Sequence, residues 1–191
     1  MPQDLPMEPF EYIAAIYSIV IALAAANLLA ALGETLKYRK TVNHYWLHTA
    51  WCVMWLVGLL AVWVSVWDVL SGIENMTFLE MLPYFQFVVI YYLATWLLKP
   101  SLFTPELDLR SYFYSIRTPF LLCLLIPSVV LVPWIIIRFD EPMDAAMFTV
   151  FGQWIALVGG LLSSRHSVQV AVFFIFWTLQ VVQEFYQSGI G

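Results

Sequence analysis

Six stretches of this chain are almost wholly apolar, and the polar residues gather in the short gaps between them. The stretches cover residues 10–36, 45–70, 78–98, 113–137, 143–162 and 168–186. A helix needs roughly 20 apolar residues to cross the hydrocarbon of a bilayer. Strands fit poorly: open sheet edges go unpaired in lipid, and barrel strands alternate over segments of about ten residues. The pattern therefore predicts an all-α integral membrane bundle of six transmembrane helices. Its connections leave no room for a separate soluble domain, so residues 1–191 read as a single helical domain.

Composition agrees with the pattern. The chain is 62% hydrophobic and 11% charged, whereas a soluble domain is roughly a quarter charged. So few charges cannot cover a water-facing surface, which makes the lipid bilayer the first expected partner. The segment from Met1 to Pro6 has neither basic residues nor a small-residue cleavage pattern, so the first span is expected to be retained. Cys52 and Cys123 sit inside different apolar runs and give no disulfide framework.

Charge gives the bundle a direction. Lys37, Arg39, Lys40, Lys99, Arg110, Arg117 and Arg165 fall on one side, and only Arg138 on the other. The positive-inside rule assigns the basic side to the cytoplasm, and both termini then lie outside. The acidic residues run the other way: of the net −5, the inner face carries +4 and the outer face −9. The outer ones are Asp4, Glu8, Glu11, Asp68, Glu74, Glu80, Asp140, Glu141, Asp144 and Glu184. Such a face attracts cations and basic surfaces, or it is simply polar because loops must be. No nucleic-acid partner is expected. Asn75-Met76-Thr77 matches the glycosylation triplet, which is frequent by chance. The longest connection, 99–112, holds Lys99-Pro100, Thr104-Pro105 and the charges Glu106, Asp108 and Arg110. It predicts a linker, a short surface helix or a docking point.

Helices associate in lipid through small residues and polar contacts. Span one carries Ser18, Ala22, Ala26 and Ala30 at four-residue steps, with Gly33 beyond. Span five carries Ala145, Thr149, Gly152, Ala156, Gly159, Gly160 and Ser163. These stripes predict that spans one and five are the central helices, close to each other or to a symmetry mate. Each is followed by a basic turn with a nearby histidine, a pattern suggesting a degenerate repeat of spans one–two in spans five–six. Span two is rich in tryptophan; Trp51 to Trp67 spread over about 160° at 100° per residue. Its end members fit interfacial belts, and the deeper Trp55 needs a packing partner or a ligand. Pro127, followed by Ser128, is expected to kink span four and is a possible hinge.

Ionisable residues inside a membrane are costly, so each is a site hypothesis. Glu34, His44, His48, Arg165 and His166 share one depth near the cytoplasmic interface. His44 and His48 stand one turn apart and could share a metal with His166 or Glu34. Two histidines on different helices could ligate a haem. Alternatively these groups hydrogen-bond helix ends and face headgroups. The deeper polar residues are uncharged: Asn27, Gln86, Thr95, Thr149, Gln153, Thr178 and Gln180. Of these Asn27, Gln86, Gln153 and Gln180 could line a polar path, or they form interhelical hydrogen bonds. A proton or cation pump needs a carboxylate near mid-membrane, and the spans hold none there. No nucleotide loop, nucleophile elbow, zinc-protease helix or kinase signature is present. An enzyme is not expected, and no cofactor is predicted beyond the haem or metal option.

From Ile16 to Pro100 the chain has a small-residue helix, a basic turn, Tyr45-Trp46-Leu47-His48, Trp51, Trp63 to Trp67-Asp68, Tyr91-Tyr92-Leu93 and Lys99-Pro100. This run resembles a group of small bacterial multi-helix integral membrane proteins with no assigned activity. The resemblance covers roughly half the chain and implies a bacterial inner membrane. The leading expectation is a non-enzymatic accessory, scaffold or assembly subunit that self-associates or binds a membrane-protein partner. A channel or facilitator for a small solute or ion is the alternative, and a haem- or metal-binding membrane protein is a third.

Overall fold

A computed structural model describes residues 9–70, 77–104, 106–139 and 145–187. Among them are six α-helices and no strand: α1 Pro9–Lys37, α2 Trp46–Leu70, α3 Phe78–Leu98, α4 Leu109–Phe139, α5 Ala145–Leu162 and α6 His166–Gln187. The expected all-helical architecture is present. Five of the helices are long and apolar enough to cross a membrane, while the apolar part of α5, Met147–Leu162, is shorter. The Met1–Pro6 segment, Asp4, Glu8, Glu74, Asn75, Met76, Asp140, Glu141 and Asp144 lie outside the described residues, as do the side chains of Trp67, Asp68 and Ala145.

Side-chain pairs fix the directions of the helices. His48 meets Leu98 and Trp55 meets Tyr91, so α2 and α3 run oppositely. Arg138 meets Glu80 and Tyr112 meets Leu97, which reverses α4 against α3. Arg117 meets Gly160 and Ser128 meets Trp154, which reverses α5 against α4. The α5–α6 pair is likewise antiparallel, with Gly152 against Leu179 and Gly160 against Val172. One end of the bundle therefore collects the C-termini of α3 and α5 and the N-termini of α2, α4 and α6. The connection after α1 reaches the same end. There Asn43 bridges to Asp108, with Asn43 N–H donating to Leu107 at 3.0 Å and Leu109 N–H donating to Asn43 at 3.1 Å. Tyr38 stacks on Phe103 beside it. The described part of the long connection thus pairs with the α1–α2 turn and forms no surface helix.

The middle of the bundle belongs to α2, which packs on α1, α3, α4 and α6. Trp51 is fully buried and touches Phe120, Phe173, Phe176 and Trp177, with the nearest centroids 5.1 Å and 5.2 Å away. Trp55 packs on Tyr91 at 4.8 Å and on Trp177 at 6.0 Å. Packing therefore accounts for the Trp55 ring, while its buried indole N–H has no protein partner. Edge-to-face geometry of this kind adds about 0.5–1.5 kcal/mol per pair beyond area burial. Outside this core the apolar residues face outward: Ile155 is 75% exposed and Leu162 84%. Surfaces of that kind suit lipid, not water.

Spans one and five were expected to be central, close to each other or to a symmetry mate. The structure corrects this within one chain: α1 packs on α2 and α3, α5 packs on α4 and α6, and the two do not meet. Small residues permit close approach, but here bulky aromatics fill the axis and carry the core. The span expected at 113–137 is also longer in the structure, since α4 begins at Leu109 and runs unbroken through Pro119, Pro127 and Pro133. Pro127 is buried, and the Ser128 hydroxyl donates to the carbonyls of Leu124 at 3.3 Å and Leu125 at 2.9 Å.

Candidate functional site

Helix C-termini leave their last carbonyls without intrahelical donors, and the helix dipole makes that end negative. In lipid these carbonyls need side-chain partners. The common end of the bundle supplies them. His48 Nε2 donates to the Leu98 carbonyl at 2.8 Å, and the Tyr112 hydroxyl donates to Leu97 at 2.7 Å, which closes α3. Gln169 Nε2 donates to Gly160 at 2.8 Å and to Ser163 at 2.7 Å, and Arg117 reaches the same two carbonyls, which closes α5. The Tyr45 hydroxyl and His166 Nδ1 share a hydrogen bond of 2.9 Å between the starts of α2 and α6.

This layer accounts for two of the ionisable residues singled out from sequence, His48 and His166. His48 is 1% exposed, its donor is spent on Leu98, and its ring lies edge-on to Tyr112 at 5.9 Å. His166 is tied to Tyr45, and His44 is exposed. Glu34 is half-buried on α1. Among the described residues no three His, Cys, Asp or Glu side chains gather as a metal site. The layer's strongest donors, Arg117 and Gln169, were not singled out. A signal did exist: Arg117 stands about two turns inside α4 and borders an apolar run, where a guanidinium must find acceptors.

The four residues of the expected polar path do not form one line. Gln153 and Gln180 are joined across α5 and α6 at 3.1 Å, and Gln180 passes a hydrogen bond to Glu184 at 2.8 Å. Gln86 on α3 and Asn27 on α1 each bury an amide nitrogen that has no protein partner. Between the glutamine pair and the capping layer lies the Trp51–Trp55–Trp177 cluster.

The packing residues divide by helix. On α5, Gly152 lies against Leu179 of α6, and Gly160 lies against both Leu121 of α4 and Val172 of α6. Gly159 has nothing within 4 Å of its would-be Cβ. On α1, Ala22 and Ala26 are exposed, and Gly33 also faces open space. The small-residue face of α5 is largely consumed inside the chain; on α1, Ala22, Ala26 and Gly33 are turned away from it, while Ser18 accepts from Trp63 Nε1 of α2 at 3.1 Å and Ala30 is half-buried.

No family model, curated protein or solved structure matches the chain.

Proposed function

We propose that this protein is a non-enzymatic, six-span inner-membrane bundle that acts by associating through α1 with a second copy of itself or with another membrane protein. The single observation that carries the reading is the outward face of α1. Ala22, Ala26 and Gly33 follow at helical spacing and make no use of their small size within the chain. Small residues at such steps let backbones approach closely, which is what helix association in lipid relies on.

The register of α5 supports counting it as a sixth crossing. The start of α5 lies level with the end of α4 and with the end of α6, as the Ser128–Trp154 and Gly152–Leu179 pairs indicate. The helix thus reaches from the ends of α4 and α6 to the capped end, although it is shorter than α4. The capped end carries the basic residues, so it is assigned to the cytoplasm and both termini to the outer face. The inner membrane rests on the bacterial resemblance. A facilitator would need a polar path along the axis, and the buried Trp51, Trp55 and Trp177 occupy its middle, which weighs toward association.

Single cysteines at Ala22 and Ala26, compared with one at the exposed Leu60 on α2, test the proposal. In native membranes the α1 positions are expected to cross-link into a defined dimer or heteromer and Leu60 is not. Equal cross-linking at all three, with a monomer and no co-purifying partner in mild detergent, would sink the reading. A reporter fused within 37–44 and found outside would reverse the orientation.

A further inference from the structure

At the end of the bundle opposite the capping layer lies a cavity of about 200 Å³, bounded by α2, α3, α4, α5 and α6. Its walls are apolar where Phe87, Leu131 and Val150 face it, and polar where Tyr84, Gln180 and Glu184 do. For scale, a cavity of about 150 Å³ holds benzene, so this one suits a molecule of on the order of eight heavy atoms. It lies below the size of pockets that take drug-sized ligands, about 300–1,000 Å³.

The hydrogen bonds around it have a direction. Gln153 donates to Gln180, and Gln180 donates to Glu184 Oε1, so the relay ends on a group that accepts. Glu184 is the one charged residue lining the cavity among the described residues. At the same end Glu80 is already paired with Arg138 at 2.8 Å. Across the cavity, Tyr84 is 2% exposed and its hydroxyl has no partner. Its own carbonyl is taken by the Tyr17 hydroxyl, which holds the α3 backbone against α1. A buried hydroxyl left without a partner costs about 1–3 kcal/mol, a cost that a ligand would recover.

We infer that this cavity is a binding site for a small amphiphile with a protonated amine head and a short hydrocarbon tail. An ammonium group carries donors and no acceptor. It therefore matches the Glu184 carboxylate and the oxygen of Tyr84, and it gains from the faces of Tyr84, Phe87 and Tyr91 through cation–π attraction. A carboxylate or phosphate head would meet Glu184 with like charge. The apolar wall takes the tail. This site is separate from the association face on α1 and stands whether or not that face is used.

The test uses the full chain in nanodiscs of zwitterionic lipid, with 6-fluorohexylammonium as the probe read by fluorine NMR. Saturable broadening beyond that of empty nanodiscs is expected. Unlabelled hexylammonium should displace the probe at concentrations at least about tenfold below those of hexanoate, a factor worth about 1.4 kcal/mol. Glu184→Gln should weaken binding about tenfold, the loss of one charge-assisted bond. Tyr84→Phe should weaken it less, and Val150→Trp, which fills the cavity, should abolish it. No saturable broadening, equal competition by hexanoate, or unchanged binding in Glu184→Gln would overturn the assignment. If Val150→Trp does not fold, Glu184→Gln and Tyr84→Phe decide the matter, since neither removes bulk from the core.

Discussion

Arg117 of α4 and Gln169 of α6 donate to the same two carbonyls, those of Gly160 and Ser163 at the end of α5. Two donors for each acceptor make the closure redundant. Removing one side chain leaves both carbonyls hydrogen-bonded; removing both strands them in an apolar surround. Arg117→Ala and Gln169→Ala are each expected to cost about 0.6–1.7 kcal/mol, the range of polar contacts in membrane helices. The double variant is expected to exceed the sum by about 1–2 kcal/mol, a coupling of the size found for residues that share partners. Reversible unfolding in mixed micelles measures all three proteins. Strict additivity would mean that the two donors do not share the load.

Much of the fold was legible because lipid imposes a simple rule on sequence. The runs expected at 45–70 and 78–98 became Trp46–Leu70 and Phe78–Leu98, since each is bounded by polar residues where the chain leaves the apolar phase. The run at 113–137 fell short of Leu109–Phe139 because α4 begins in a polar turn that hydropathy discounts. The neighbours of each helix were not legible. In lipid both the packed and the outward faces are apolar, so Trp51 in the core and Trp46 at 44% exposure look alike in sequence. The same limit hid the capping layer. His48 was singled out for its chemistry, whereas its role depends on the Leu98 carbonyl, and a backbone acceptor leaves no mark on sequence.

The glycines offer a graded test of packing. A Cβ on Gly58 would lie 2.8 Å from Trp177 Cη2, and that ring is held by Trp51 and Trp55. A Cβ on Gly152 would come equally close to Leu179 Cδ1, but this is the end of a flexible side chain. Gly159 has open space. Gly58→Ala is therefore expected to destabilise by about 1–3 kcal/mol, the usual cost of overpacking, and Gly152→Ala by less. Gly159→Ala should be neutral or should gain up to about 1 kcal/mol from helix propensity. Unfolding midpoints of the three variants in one detergent check the order. Gly58→Ala at wild-type stability would mean that the aromatic core is looser than its contacts imply.

Asp108 closes the start of α4 and gives the protein a predictable acid response. Its carboxylate accepts from the Ser111 hydroxyl at 2.6 Å and from the backbone N–H groups of Arg110 at 3.1 Å and Ser111 at 3.3 Å. These bonds, the Ser111 hydroxyl first, hold its pKa below the ordinary aspartate value. The charged form is thus favoured in the folded state. The stabilisation is complete above the unfolded-state pKa of about 3.9 and is lost as pH falls through the lower folded value. The same residue bridges to Asn43, so loosening it should also free the connection that follows α1. Carbon-detected NMR of the Asp108 carboxyl should show a depressed midpoint, and Ser111→Ala should raise it toward the ordinary value. Asp108→Asn can still accept through its amide oxygen but does not titrate. It should therefore flatten this part of the acid dependence, read as protection of the Asn43 and Leu109 amides from hydrogen exchange. Undiminished protection in wild type below the folded pKa would show that the bridge does not depend on this charge.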